Sequence, residues 1–409
     1  MAGMRGRTLL TSAGAAVLIG SVVTPASAAP DLVAPSGVSP AAAGAGVERL
    51  LRDVRRLTSP RDLGVPGRAS PMMVSGSGVV VGQTWTDEGT RFFRWEATTG
   101  VALLPDPGQV GTSPTILPAA VNDRGEIVGH SAGRPVMWRP DGTVVDLAPD
   151  APDRTVWPTG VNAHGLVVAS VLRPLSSHAA VVRDGEVTVI ADLGASSGVA
   201  ERDGVNDRGE VTGTAYDERW RRHAFVWRDG DLRILPAPEG ADAEGLAINA
   251  RGDVLGRIHH AGTYQLVVWE AGGGVRHLDP DGGTRIRPTG LSDTGVVVGN
   301  IEVRDGPSLA VVMDARGRRS LATAGAGSTA AVGVHHGALV SGWTERSGDA
   351  LRQPAVWVHG ALVPLGTGLG GEVALGGEVL AVTRDGTAVG HLVARDGGLR
   401  TVVWDLTPW

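Results

Sequence analysis

The chain has 409 residues, a net charge of −6 and a pI near 6.0, with neither Lys nor Cys. No basic excess is available to neutralise phosphates, so nucleic acid is excluded as a partner; without Cys there is no disulfide, thiolate metal site, Cys nucleophile or lipobox acylation. Gly is frequent (61), and Trp (11) outnumbers Phe (3) and Tyr (2) together, a composition of many short strands and turns.

Residues 1–28 read as an export signal. Arg5 and Arg7 form a positive start, residues 9–23 an apolar run too short for a comfortable membrane span, and Ala26-Ser27-Ala28 an A-x-A cleavage site. The mature chain then begins near Ala29, outside the cell or at its wall, with no membrane contact after cleavage; an uncleaved anchor is the alternative. Residues 29–45, rich in Ala, Pro, Gly and Ser, read as a flexible linker. Residues 46–58 are ambiguous. Val47, Leu50, Leu51, Val54 and Leu57 sit at helical spacing, yet residues 53–58 also resemble residues 274–279, a strand position further on.

From Pro71 the chain repeats. Gly82, Gly129, Ala169, Gly213, Gly256, Gly299, Gly342 and Gly390 each close an apolar run, at intervals of 47, 40, 44, 43, 43, 43 and 48 residues. Eight units of this period indicate a propeller or solenoid. Each unit predicts four strands. The first ends eight residues before the aligned Gly, at Val74, Val121, Val161, Val205, Ile248, Leu291, Val334 and Val382. The residue before that is Ala120, Gly160, Gly204, Ala247, Gly290, Gly333 or Ala381, and only Met73 is large. Small residues at one fixed place predict a close backbone approach, as on the innermost strand of a propeller.

A tight turn follows, such as Asn122-Asp123-Arg124-Gly125 or Asn206-Asp207-Arg208-Gly209. Its Gly recurs in seven of eight units, where positive φ is expected; in the seventh unit it moves to Gly337. Asn and Asp here admit a calcium reading. Turn capping is the better reading, because Ala163, Ala250, His336 and Arg384 occupy the Asp place elsewhere. The second strand is short, and a loop of variable length leads to the third. That strand carries Trp95, Trp138, Trp227, Trp269, Trp357 or Trp404 at one position, with Val182 and Met313 there in units three and six. Exchange for Val or Met favours packing between blades over a stacking ring for ligands. A second tight turn precedes the fourth strand. Tight links therefore gather at one end and long variable links at the other.

The last unit lacks its fourth strand, and residues 54–58 precede the first unit as a spare one. The expected fold is therefore an all-β propeller of eight four-stranded blades, closed by an N-terminal strand that completes the last blade, within one domain over residues 46–409. The halves Val205 to Gly213 and His223-Ala224-Phe225-Val226-Trp227 resemble the bacterial extracellular repeats named for their His-Ala-Phe (HAF) tripeptide. The resemblance covers nearly all of residues 71–409, although the tripeptide degrades to His178-Ala179-Ala180 and then disappears. It implies secretion and a repetitive β-fold, and brings no catalytic residues.

No G-x-S-x-G elbow, H-E-x-x-H or P-loop occurs. The pairs His259-His260 and His335-His336 are expected at opposite ends, so no metal and no cofactor are expected. The richest loop is Tyr216, Asp217, Glu218, Arg219, Trp220, Arg221 and Arg222; Trp85, His130, Trp157, Arg257, His259, Tyr264, Trp343 and His391 are expected to share its end. Aromatics with Arg and acids suit a sugar or a peptide. The resulting expectation is a monomeric, non-catalytic propeller binding a protein or a cell-surface glycan through its long-loop face. The alternative is a propeller hydrolase or lyase with its site at the mouth of the central channel.

Overall fold

The repeat carries two apolar patterns per unit, and each needs a neighbour to cover it. The computed structural model describes residues 59–106, 114–150, 155–200, 203–278, 285–301, 306–323, 327–335, 339–345 and 351–406. The stretches expected to be signal and linker, and residues 54–58, lie outside these. Eight four-stranded antiparallel sheets form in chain order, and no helix occurs among the described residues. Blades 1 to 8 begin at Arg68, Ile116, Thr155, Gly194, Asp242, Ile286, Thr329 and Gly376. Blade 4 consists of Gly194–Val199, Val211–Asp217, Arg222–Arg228 and Asp231–Ile234, from the innermost strand outward.

Eight buried apolar clusters hold the ring, each spanning two adjacent blades. Blades 3 and 4 share one through Leu166, Val168, Val211, Phe225 and Trp227; blades 8 and 1 share another through Val389, Val403, Val80, Phe93 and Trp95. Continuous apolar strands are thus covered on both faces. The third-strand Trp residues belong to this packing. Several also donate their indole N–H to a carbonyl of the preceding blade: Trp138 to Pro105 at 2.9 Å, Trp269 to Pro236 at 2.8 Å, Trp357 to Ala322 at 2.7 Å and Trp404 to Gly366 at 2.8 Å. Val182 and Met313 fill the same place, buried, where the Trp is missing.

The innermost strands share a bulge. In seven blades the register skips one residue (Met72, Ala119, Thr159, Leu246, Thr289, Val332 or Leu380), and in all of these but blade 1, where Met73 follows, the small residue comes next. The close approach expected there is present. A Cβ on Gly290 would lie 3.2 Å from the Val334 backbone nitrogen of the next blade. Blade 4 departs from this plan. Its innermost strand ends at Val199, not Val205, and Val205 returns only as a single bridge to Val211. Its main-chain hydrogen bonds explain the detour: Ala200 donates to the Thr212 carbonyl and Thr212 to the Gly204 carbonyl, closing the excursion against the second strand.

The ring closes with an N-terminal strand in the last blade, but that strand is Arg61–Asp62, paired with Val403 and Val402. Leu63 extends it by donating to the Thr401 carbonyl, and the buried Leu63 and Val65 side chains anchor it. The tight turns form as expected, with positive φ at Gly78, Gly125, Gly165, Gly209, Gly252, Gly295 and Gly386. The links between second and third strands are shorter than expected. In blades 1, 2, 3 and 5 they are two-residue turns at Asp87-Glu88, Ala132-Gly133, Pro174-Leu175 and Ala261-Gly262. Most of the residues expected in variable loops are strand residues, some exposed, such as Trp85 and Tyr264, and some buried, such as His130 and Trp343.

Candidate functional site

The second strand of each blade runs away from its inner tight turn, so residues beyond the aligned Gly reach the opposite end of the ring. That rim carries nearly all the residues singled out from sequence. Most of them are on strands: Trp85 on Val80–Thr86, His130 on Ile127–Ser131, Trp157 on Thr155–Val161, Tyr216 and Asp217 on Val211–Asp217, Arg257 and His259 on Val254–His260, Tyr264 on Thr263–Trp269, Trp343 on Leu339–Thr344 and His391 on Thr387–Val393. Only Glu218, Arg219, Trp220 and Arg221 form a turn, which leads into Arg222 at the head of Arg222–Arg228.

The densest group lies across the boundary of blades 4 and 5. Asp217 organises the turn: its Oδ1 accepts the main-chain N–H groups of Arg219 and Arg221, while Oδ2 faces the Arg221 guanidinium at 3.0 Å and His223 Nε2 at 3.2 Å. These donors, the Arg221 main-chain N–H foremost, hold the Asp217 carboxyl well below the usual carboxylate range. The turn forces Trp220 into the left-handed region (φ 60°) and leaves it 63% exposed, at 6.0 Å edge-on from Tyr216.

Arg222 then crosses to blade 5. It meets Glu244, and Asp242 at 3.1 Å, both on the innermost strand Asp242–Ile248. Partial burial works against the cation, but Tyr264, Asp242 and Glu244 together hold Arg222 above its ordinary pKa. The Arg222 main-chain N–H, followed by its guanidinium, lowers Asp242 in turn against the effect of burial. Sheet register brings the remaining members alongside. Glu244 pairs with Arg257, Asp242 with His259, and His259 with Tyr264, whose rings stack at 4.3 Å. Tyr264 is 56% exposed. The result is a charged network with an open aromatic on each of two blades. Asp242, Glu244 and His223 belong to it and were not singled out from sequence. Asp242 and Glu244 begin an innermost strand, where alternate burial gave the only available signal.

The other candidates do not join this group. His130 is buried, donates through Nε2 to the Val156 carbonyl at 2.8 Å, and lies 4.1 Å from the partly exposed Trp157. Trp343 is buried beneath the Arg352 guanidinium, 4.4 Å above its ring, and Arg352 also approaches Glu378 at 3.5 Å. His391 sits beside this pair. Burial lowers its pKa, opposed by Glu378. Trp85 stands alone on blade 1. Among the described residues no three His, Asp or Glu side chains gather as a metal site. The Asn and Asp of the tight turns cap main-chain N–H groups, as at Asn206 with Arg208 and Glu210, and at Asp207 with Ala163 of the preceding blade.

No protein-family model matches the chain, and no curated protein matches it. Among solved structures it is similar to a prolyl endopeptidase, at 14% identity, covering 84% of this chain and 56% of that one with a TM-score of 0.50. It is also similar to a puromycin-hydrolysing peptidase of Mycobacterium tuberculosis, at 13% identity, covering 84% and 58% with a TM-score of 0.49. The β-propeller domain of the Trilobed protease from Pyrococcus furiosus matches at 10% identity, covering 71% of this chain and 93% of that domain, with a TM-score of 0.44. At such identities the likeness is one of fold. The chain spans little more than half the length of the two peptidases.

Proposed function

We propose that this protein is a secreted β-propeller binding module of the HAF-repeat kind that holds a cell-surface glycan on the rim of blades 4 and 5. The observation that supports this reading most is the pair of open aromatics, Trp220 and Tyr264, set on adjacent blades around the Arg222–Asp242–Glu244 network. Sugar rings stack on exposed aromatic faces, and their hydroxyls pair with fixed carboxylate and guanidinium groups. The acids of this rim also suit binding better than catalysis. Asp217 and Asp242 are held ionised by several donors each, whereas a general acid at neutral pH needs a raised pKa. The peptidase activity of the neighbours in fold belongs to those proteins.

The test is calorimetric titration of the mature chain with cell-wall oligosaccharides, beside Trp220→Ala and Tyr264→Ala. Both variants should melt with the parent and bind at least about fivefold more weakly, taking a stacked sugar to contribute, as a stacked base does, roughly 1–3 kcal/mol. Parent-like affinity in both would overturn the assignment; binding to unglycosylated polypeptide alone would transfer it to a protein ligand. Export is tested separately. The extracellular protein should begin at Ala29 by N-terminal sequencing.

A further inference from the structure

The tight-turn face, opposite the rim, carries a cleft of about 540 Å³ among blades 5, 6 and 7. It opens where the repeat departs from its own pattern. In blades 2, 4 and 5 the inner turn bears an Arg and, two residues on, an acid that pairs with it: Arg124–Glu126 at 3.2 Å, Arg208–Glu210 at 2.7 Å and Arg251–Asp253 at 2.6 Å. Blade 6 has Thr294 and Val296 at these two places, and both line the cleft. Shorter side chains leave open the space that an ion pair fills elsewhere.

The charge around this space is unbalanced. Arg251, Arg276, Arg316 and Arg319 line it against two carboxylates, Glu270 and Asp314. Asp253, the partner of Arg251, and Asp293, which caps Ala250, lie behind this lining and are already engaged. Arg319 is matched by Asp314 at 2.5 Å. Arg276 is not matched as well. Its side chain is 21% exposed, and it meets a half-exposed Glu270 only at 3.4 Å. Its Nη2 donates to the Gly295 carbonyl at 2.7 Å, while Nη1 is buried with no hydrogen-bond partner. Arg316, exposed on the turn of blade 6, has no carboxylate partner among the described residues. A mostly buried guanidinium with a distant counter-ion is costly, and an anion seated over it offsets that cost.

We propose that this cleft binds a doubly charged tetrahedral oxyanion, the phosphate group of a phosphate monoester carried on a larger molecule. Arg276 supplies the field from the floor and Arg316 closes over the anion from the turn. Two under-matched guanidinium groups balance a dianion better than a single carboxylate, and their planar forks suit its oxygens. Val296 and Val312, only partly covered on the lining, give the carrier of that group an apolar surface. The site is independent of the rim of blades 4 and 5.

The test is titration calorimetry on the full mature chain with inorganic phosphate, inorganic sulfate, glucose 6-phosphate and glucose, at constant ionic strength held with chloride. The two inorganic anions and the sugar phosphate should bind and glucose should not, with glucose 6-phosphate the tightest. Arg316→Gln should weaken each anion at least about fivefold while melting with the parent, because Arg316 is exposed and unpaired. Arg276→Gln also removes a buried hydrogen bond and lowers the melting temperature itself, so the decision rests on Arg316→Gln. Parent-like phosphate affinity in that variant, or no heat from any of the three anions, overturns the site. Glucose 6-phosphate binding no more tightly than inorganic phosphate overturns the ester assignment.

Discussion

The side-chain amide of Asn206 donates to the main-chain carbonyl of Asn249, 43 residues later and one blade further round the ring, at 3.0 Å. The contact is one rung of a ladder. Asn122 donates in the same way to the Asn162 carbonyl at 2.9 Å, Asn162 to the Asn206 carbonyl at 3.0 Å, and Asn249 to the Ser292 carbonyl at 3.0 Å. Each Asn meanwhile accepts two N–H groups of its own turn, as Asn206 does from Arg208 and Glu210. One buried side chain thus fixes the shape of its turn and the position of the next blade.

Asn206→Ala should therefore be among the most damaging single polar substitutions in the ring. It strips the turn of its acceptor and the next blade of its donor, for a loss of roughly 2–4 kcal/mol when buried partners are left unmet. Urea denaturation followed by Trp fluorescence measures it. A midpoint equal to that of the parent would show that the ladder does not hold the blades.

The period, the four strands per unit and the missing last strand were all legible because they repeat: eight misaligned copies would not agree on the same Gly and Trp. The inter-blade role of Asn was not legible. An Asn before Asp-Arg-Gly reads as a cap of its own turn, which it is, and nothing local points to a second partner one period away. Strand ends at the rim were hidden for a related reason. Tyr216, Asp217 and Arg222 are polar and only partly covered, so they break the apolar pattern while the main chain continues its ladder. The Arg222 network was half visible, because its acids come from a different blade.

Closure of the ring should depend on residues 61–65. Arg61 and Asp62 cover the edge at Val403 and Val402, and burying Leu63 and Val65 contributes roughly 1.5–3 kcal/mol for each side chain. A chain starting at Ser59 should melt with one starting at Ala29, and one starting at Pro66 several degrees lower. The shorter chain should also self-associate, since the strand Leu399–Asp405 then presents an unpaired edge. Differential scanning calorimetry with light scattering reads both effects. Equal melting of the two chains would place the fastening elsewhere.

Acid should weaken the fold well before the rim carboxylates titrate. Burial lowers the pKa of His130 and of His391 below the ordinary imidazole value. The unfolded chain then binds more protons than the folded one as pH falls through about 6.5, so stability drops with falling pH in that window. Asp217 and Asp242 have lowered folded values, so their contribution persists above the ordinary carboxylate pKa near 3.9 and disappears only as pH falls further, toward their folded values. The double variant His130→Gln, His391→Gln should flatten the slope of melting temperature between pH 7 and pH 5 and leave the steep loss below pH 4. An unchanged upper slope would assign that loss to other groups.

In blades 5 and 7 the aligned Gly lies against the ring of the third-strand Trp, and blade 3 varies both positions together. A Cβ on Gly256 would lie 2.1 Å from the Glu244 carbonyl oxygen and 2.3 Å from the Trp269 ring. In blade 3 the aligned residue is Ala169, fully buried, and the third-strand position holds Val182 instead of Trp. A smaller third-strand side chain therefore accompanies the added methyl. Gly256→Ala should cost roughly 1–3 kcal/mol or more by overpacking. Trp269→Val should cost more, through lost burial and the lost hydrogen bond to the Pro236 carbonyl. If the ring is a main obstacle, the double variant should be less damaged than the sum of the two, by more than the roughly 0.5 kcal/mol expected of independent sites. Additive losses would leave the Glu244 carbonyl as the whole obstacle, and the Ala169–Val182 combination of blade 3 would then reflect a local shift of its innermost strand.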